Sequence, residues 1–150
     1  MKTLILFVCL LTGYCSFAQD FILDKRSKIK NRMEKFYAEQ NRKYIFSETD
    51  STISYVLNDS LSLPATTIFY FNDQNRCIQQ DNIFSCDSCL QRSKQLFLNN
   101  KYANWKPIGL ENYYAGFPYN TLMQEVKIND QHILRLTKTS RKSAKNTFTE

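Results

Sequence analysis

Glycine is nearly missing from this chain: of 150 residues only Gly13, Gly109 and Gly116 are glycine. A phosphate cradle needs clustered glycines so that backbone amides can close on the anion, and three scattered ones build neither a P-loop nor a dinucleotide-binding turn. Histidine is scarcer still. His132 stands alone, so general acid–base work near neutrality would rest on a single imidazole, and the turn-proximal position of that imidazole on a strand suits a structural role. No His-Glu-x-x-His pair and no serine in a nucleophile-elbow setting is present. Long apolar runs are lacking too. The longest, Leu4 to Leu11, is too short for a permanent membrane span.

What the amino-terminal residues do contain is a three-part export pattern: Lys2, the apolar run, then small residues with Ser16 and Ala18 at the −3 and −1 positions of a cleavage site. Cleavage is expected after Ala18. Lipidation at Cys15 would want a small residue before it, and Tyr14 occupies that place. The expected organisation is a signal peptide over residues 1–18, one domain over 19–139, and a flexible basic tail over 140–150. Export would place the domain in the periplasm or outside the cell. Losing Lys2 takes the formal charge from +6 to +5, with the excess in the stretches Lys25 to Lys43 and Lys138 to Lys145. Basic ends on an exported chain point to a solvated helix face and a loose tail, with weak contact to an acidic surface as the alternative, and not to nucleic acid.

Apolar residues Ile29, Met33, Phe36 and Tyr37 recur at helical spacing, so a helix is expected from Asp24 to about Gln40, capped by Asp24 or Ser27. Two hairpins follow, Tyr44–Ser47 with Thr52–Leu57, and Ala65–Phe71 with Arg76 to about Gln80. A second helix is expected over Cys86 to Asn100, then strands at Trp105–Leu110, Tyr113–Phe117, Leu122–Ile128 and Gln131–Thr137, the last two joined at Asn129-Asp130. No repeat of fixed length is visible. The order implies an α+β fold: an antiparallel sheet of about six to eight strands with two helices packed on one face.

Three cysteines would survive cleavage: Cys77, Cys86 and Cys89. Cys77 reaches the others only if the chain turns back near Asp81-Asn82, since about 30 Å of extended chain would otherwise intervene. Cys86 and Cys89 lie three residues apart at a helix start and need no such return. The pair is either structural or, because a helix amino terminus lowers thiol pKa values, a thiol-disulfide exchange site. Asp87 beside the thiols disfavours thiolate, and the motif lacks the aromatic residue and proline typical of thioredoxin-like proteins. With three cysteines and one histidine, a four-ligand zinc site is out of reach, and no metal or cofactor is expected.

The densest aromatic set is Trp105, Tyr113, Tyr114, Phe117 and Tyr119. Such rings fill cores or form faces for protein, peptide or glycan partners, and adjacent Tyr113 and Tyr114 cannot both point inward from a regular strand. The sequence is similar in general style to many small exported lysine-rich α+β proteins of Gram-negative bacteria, a likeness without a specific motif. Asp50-Ser51-Thr52 and Asp59-Ser60-Leu61 also resemble short acceptor sites that some such bacteria O-glycosylate. The expected function is a non-catalytic binding module, with thiol-disulfide exchange at Cys86 and Cys89 as the alternative.

Intact-mass measurement of the exported protein should give a chain starting at Gln19, cyclised at its terminus. A chain that still starts at Met1 would remove the export assignment.

Overall fold

The computed structural model describes residues 21–57, 64–100, 102–116, 119–140 and 143. The export pattern and most of the basic tail lie outside them. Ten elements follow in order: α1 (Arg26–Glu39), β1 (Tyr44–Glu48), β2 (Thr52–Leu57), β3 (Thr66–Phe71), β4 (Cys77–Phe84), α2 (Asp87–Leu98), β5 (Lys106–Gly109), β6 (Asn112–Ala115), β7 (Thr121–Ile128) and β8 (Gln131–Lys138). Every strand pairs antiparallel with its neighbour, giving one eight-stranded sheet in the order β1-β2-β3-β4-β8-β7-β6-β5. With its two helices this is an α+β fold. The order is itself a repeat: a helix and a four-strand meander occur twice, and the two meanders meet at their last strands. What repeats is the order of elements, which explains why no fixed-length period shows in the residues.

The apolar stripe of α1 buries Ile29, Met33 and Tyr37 against Ile53, Tyr55 and Leu57 of β2 and Phe69 and Phe71 of β3. Aromatic contacts knit this cluster. Phe21 meets Phe69 edge to face at 5.4 Å, and Tyr37 lies 5.6 Å from Tyr55. The cap differs from the sequence expectation: Lys25 is the N-cap residue and contributes no side-chain hydrogen bond. Asp24 instead accepts from Lys28 Nζ at 2.7 Å and Arg32 at 3.0 Å, a carboxylate still placed where the helix dipole favours negative charge.

The second cluster sits under α2, where Leu90 and Phe97 pack on Phe84, Met123, Leu134 and Leu136. Lys94 shares that buried stripe. Its alkyl stem lies along apolar surface, and its ammonium pairs with one oxygen of Glu125 while Gln91 Nε2 donates to the other at 2.9 Å. The partners satisfy each other, which is the condition for burying charge without a large penalty.

One sequence expectation is corrected at β4: the strand, expected to end near Gln80, continues to Phe84, and the chain does not turn back at Asp81-Asn82. Asp81 and Asn82 are turn formers because their side chains can bond their own backbone, but here those side chains bond across the sheet. Arg135 donates two 2.8 Å hydrogen bonds to Asp81, and Asn82 accepts from Gln80 at 3.0 Å while reaching the Leu134 carbonyl. With β4 running on through Asp81 and Asn82, Cys77 lies in the α1 cluster, away from Cys86 and Cys89.

Asparagine does the work that glycine usually does. Left-handed backbone occurs at Asn41, Asn75, Asn104, Asn120 and Asn129, with Asp130 completing the tight β7–β8 turn.

Burial holds the Tyr37 and Tyr55 hydroxyls well above the ordinary tyrosine value, and burial together with the Asp81 charge raises Tyr70. Raised folded values mean that this stability is complete below about pH 10 and is lost as pH climbs toward them, because the unfolded chain releases its protons first. Urea midpoints should therefore fall steeply between pH 9 and 11, and less steeply in Tyr55→Phe. The Tyr55 hydroxyl is buried with no hydrogen-bond partner among the described residues, so Tyr55→Phe at pH 7 should be neutral or stabilising by up to about 1 kcal/mol. A loss above about 2 kcal/mol would show that the hydroxyl is bonded.

Candidate functional site

Cys86 and Cys89 stand at disulfide distance, their Cα atoms 5.3 Å apart. The chain leaves β4 at Phe84 and enters α2 two residues later, so Cys86 becomes the N-cap with extended backbone, and its sulfur accepts from the Cys89 amide at 3.1 Å. The Ser88 hydroxyl lies 3.2 Å from the same sulfur. Asp87, in the first turn, points its carboxylate toward His132 Nδ1 at 3.7 Å, and His132 is opposite Phe84 in the β4–β8 ladder. The sole histidine thus lies beside the cysteine pair. Among the described residues no group of three or more metal-ligating side chains converges, and no helix is long and apolar enough to cross a membrane.

The aromatic set divides between the two sides of the sheet. Tyr113 and Trp105 are half-buried and pack against the α2 cluster. Tyr114 points the opposite way, buried with Leu122 and Ile108, its hydroxyl donating to Asn120 at 3.0 Å. Strand alternation separates Tyr113 from Tyr114, but the expectation that at least one ring would be exposed is corrected: Tyr113 is half-buried against the α2 cluster and Tyr114 is buried with Leu122 and Ile108. Tyr119 is half-buried, and its carbonyl accepts from the Thr121 hydroxyl at 3.1 Å. Phe117 lies outside the described residues. The exposed apolar side chains in this part of the chain are Tyr102, at 85 %, and Leu110, at 92 %.

A larger feature comes from register. Ile45 pairs with Val56, Val56 with Thr66, Thr66 with Ile83, Ile83 with Ile133 and Ile133 with Val126. Six β-branched side chains therefore form one row across six strands. Each alternates along its strand with a residue of the other side: Tyr44 and Phe46 flank Ile45, Tyr55 and Leu57 flank Val56, and Phe84 follows Ile83. Ile45 is 59 % exposed and Val56 37 %, Thr66, Ile83 and Val126 are half-buried, and Ile133 is buried. The next row holds Ser54, Ile68, Asp81 and Arg135, and the row beyond holds Tyr70, Gln79, Thr137, Leu122 and Tyr114.

Within Thr52–Leu57 the alternation of Ile53, Tyr55 and Leu57 marks the buried side, and Val56 stands between them on the other. The available signal was one β-branched residue of opposite phase in each of six strands, beside positions already apolar on the other side.

No protein-family model matches this chain, and neither a curated protein nor a solved structure matches it.

A disulfide that closes so short a loop removes little unfolded-state entropy, about 2 kcal/mol at most. The Cys86→Ser, Cys89→Ser double variant should keep the fold and lose no more than that in urea titration. A larger loss would mean that the sulfurs hold α2 in place.

Proposed function

We propose that this protein is an exported, non-catalytic binding module that presents the side of its sheet carrying Ile45, Val56, Ile83 and Tyr70 to an extended segment of a protein partner. The observation that carries the proposal is the cross-strand row of β-branched side chains. An antiparallel sheet with one face packed on its helices ordinarily turns polar residues outward, and an apolar outward row is the mark of an interaction surface. The proposal takes both helices to lie over one face. Ladder phase supports this: Tyr55 and Phe69 under α1 are in phase, through Gln80, with Leu136 and Met123 under α2. The opposite phase is exposed at its β1–β2 end, at Ile45 and Val56, and is buried where it reaches Ile133, Leu122 and Tyr114. Trp105 and Tyr113 pack on the α2 side and take no part in this surface.

The site that could do chemistry is the cysteine pair, and its place at a helix amino terminus beside His132 favours thiol-disulfide exchange as the second reading. In that reading a substrate thiolate attacks the Cys86–Cys89 disulfide, forming a mixed disulfide with one cysteine and releasing the other as thiolate, and a second substrate thiol completes its oxidation.

Binding and exchange separate cleanly. Val56→Lys and Ile83→Lys alter half-exposed or exposed positions and should leave the fold intact. Each should abolish retention of a partner from an envelope extract of the source cells on immobilised protein, while the double cysteine-to-serine variant retains it fully. If the lysine variants bind as wild type does, the open face is not the binding surface. If insulin reduction by wild type exceeds that of the serine variant, exchange replaces binding as the function.

A further inference from the structure

The two edges of the sheet are built differently. β5 is four residues long, contains Pro107 and carries a register shift against β6, the devices by which proteins keep an edge from pairing. β1 has none of them. Its five residues Tyr44–Glu48 pair with β2 without a shift, four of the five are exposed, and no proline or lysine interrupts the strand. Ile45 is 59 % exposed and Phe46 37 %. A straight apolar edge of this kind is a template for another strand.

The sequence of that edge is complementary to itself when reversed. The chain is basic at its entrance, Arg42-Lys43, and acidic at its exit, Glu48 and Asp50. A second copy placed antiparallel with Ile45 opposite Ile45 sets Tyr44 against Phe46, Lys43 against Ser47 and Arg42 against Glu48. Aromatic faces aromatic, the pairing that stabilises cross-strand neighbours, and Arg42 adds a third cation to a Glu48 carboxylate that Arg26 and Lys30 of its own molecule already hold. No other copy arrangement is needed to close the edge, because a two-fold axis makes both halves of the contact identical. The same register joins the β-branched rows of two molecules end to end, from Val126 of one through the two Ile45 side chains to Val126 of the other.

We infer that this protein self-associates through β1, pairing antiparallel with a second copy about Ile45 to form one continuous sixteen-stranded sheet. The inference does not depend on what the open face binds. Five paired residues bury little area, so the dimer is weak, with Kd on the order of 0.1 to 1 mM.

The test combines sedimentation with register-specific cross-linking. Average mass should rise toward the dimer as concentration approaches about 1 mM for wild type, and stay at the monomer for Ile45→Lys with unchanged circular dichroism. Under mild oxidation Ile45→Cys should form a disulfide to its own copy at least about ten-fold faster than Leu110→Cys, since facing residues on paired strands lie within disulfide reach. Wild type that remains monomeric at every concentration overturns the inference, as does Ile45→Cys cross-linking no faster than the control. Adducts of Ile45→Cys with a different protein in cells, without self-adducts, would also overturn it and assign β1 to a foreign strand.

Discussion

The β4–β8 ladder is the contact on which the rest of the molecule depends. Gln79 to Phe84 pair with His132 to Thr137 along six residues, and this is where two four-strand meanders from distant parts of the chain become one sheet. The bidentate Asp81–Arg135 pair crosses the same ladder, with the carboxylate almost wholly buried. Charge-assisted forks of that geometry fix register as well as orientation. Register is critical here, because the side-chain period is two and a slip of one residue would turn every residue of one half to the wrong side.

From that register follow the two apolar clusters and the surface between strands. Asn82 opposite Leu134 and Gln80 opposite Leu136 place a short polar seam between the α1 and α2 clusters, so each helix has its own core. The phase that puts Tyr55, Phe69 and Leu136 inward puts Val56, Ile68 and Arg135 on the other side. A packed core and a cross-strand row of β-branched side chains are thus consequences of one alignment. Cys86 depends on it too: β4 delivers the chain to the start of α2 with His132 opposite Phe84, and the cysteine pair comes to rest beside the only histidine.

Much of the architecture was legible in the sequence, because local periodicity encodes it. All eight strands and both helices follow from spacing and turn residues, and the asparagines at corners stand where glycine would be sought. The end of β4 was placed too early at Gln80, since Asp81 and Asn82 favour turns locally and only a distant strand supplies the partners that keep them in the ladder. The N-cap of α1 failed for a related reason: Asp24 has two cations in reach along the helix and bonds them instead. Strand order was not readable, because nothing near β4 announces that β8 will be its neighbour. The outward row was hidden for the same cause. Each member is an ordinary strand residue, and only register makes them a surface.

Interstrand NOEs across the β4–β8 ladder test the account most directly. Contacts should join Gln80 to Leu136, Asn82 to Leu134 and Phe84 to His132, with Ile83 facing Ile133. Contacts shifted by one residue, or β8 found beside a strand other than β4, would separate Ile83 from Ile133 and break the cross-strand row, and would contradict the fold and the surface together.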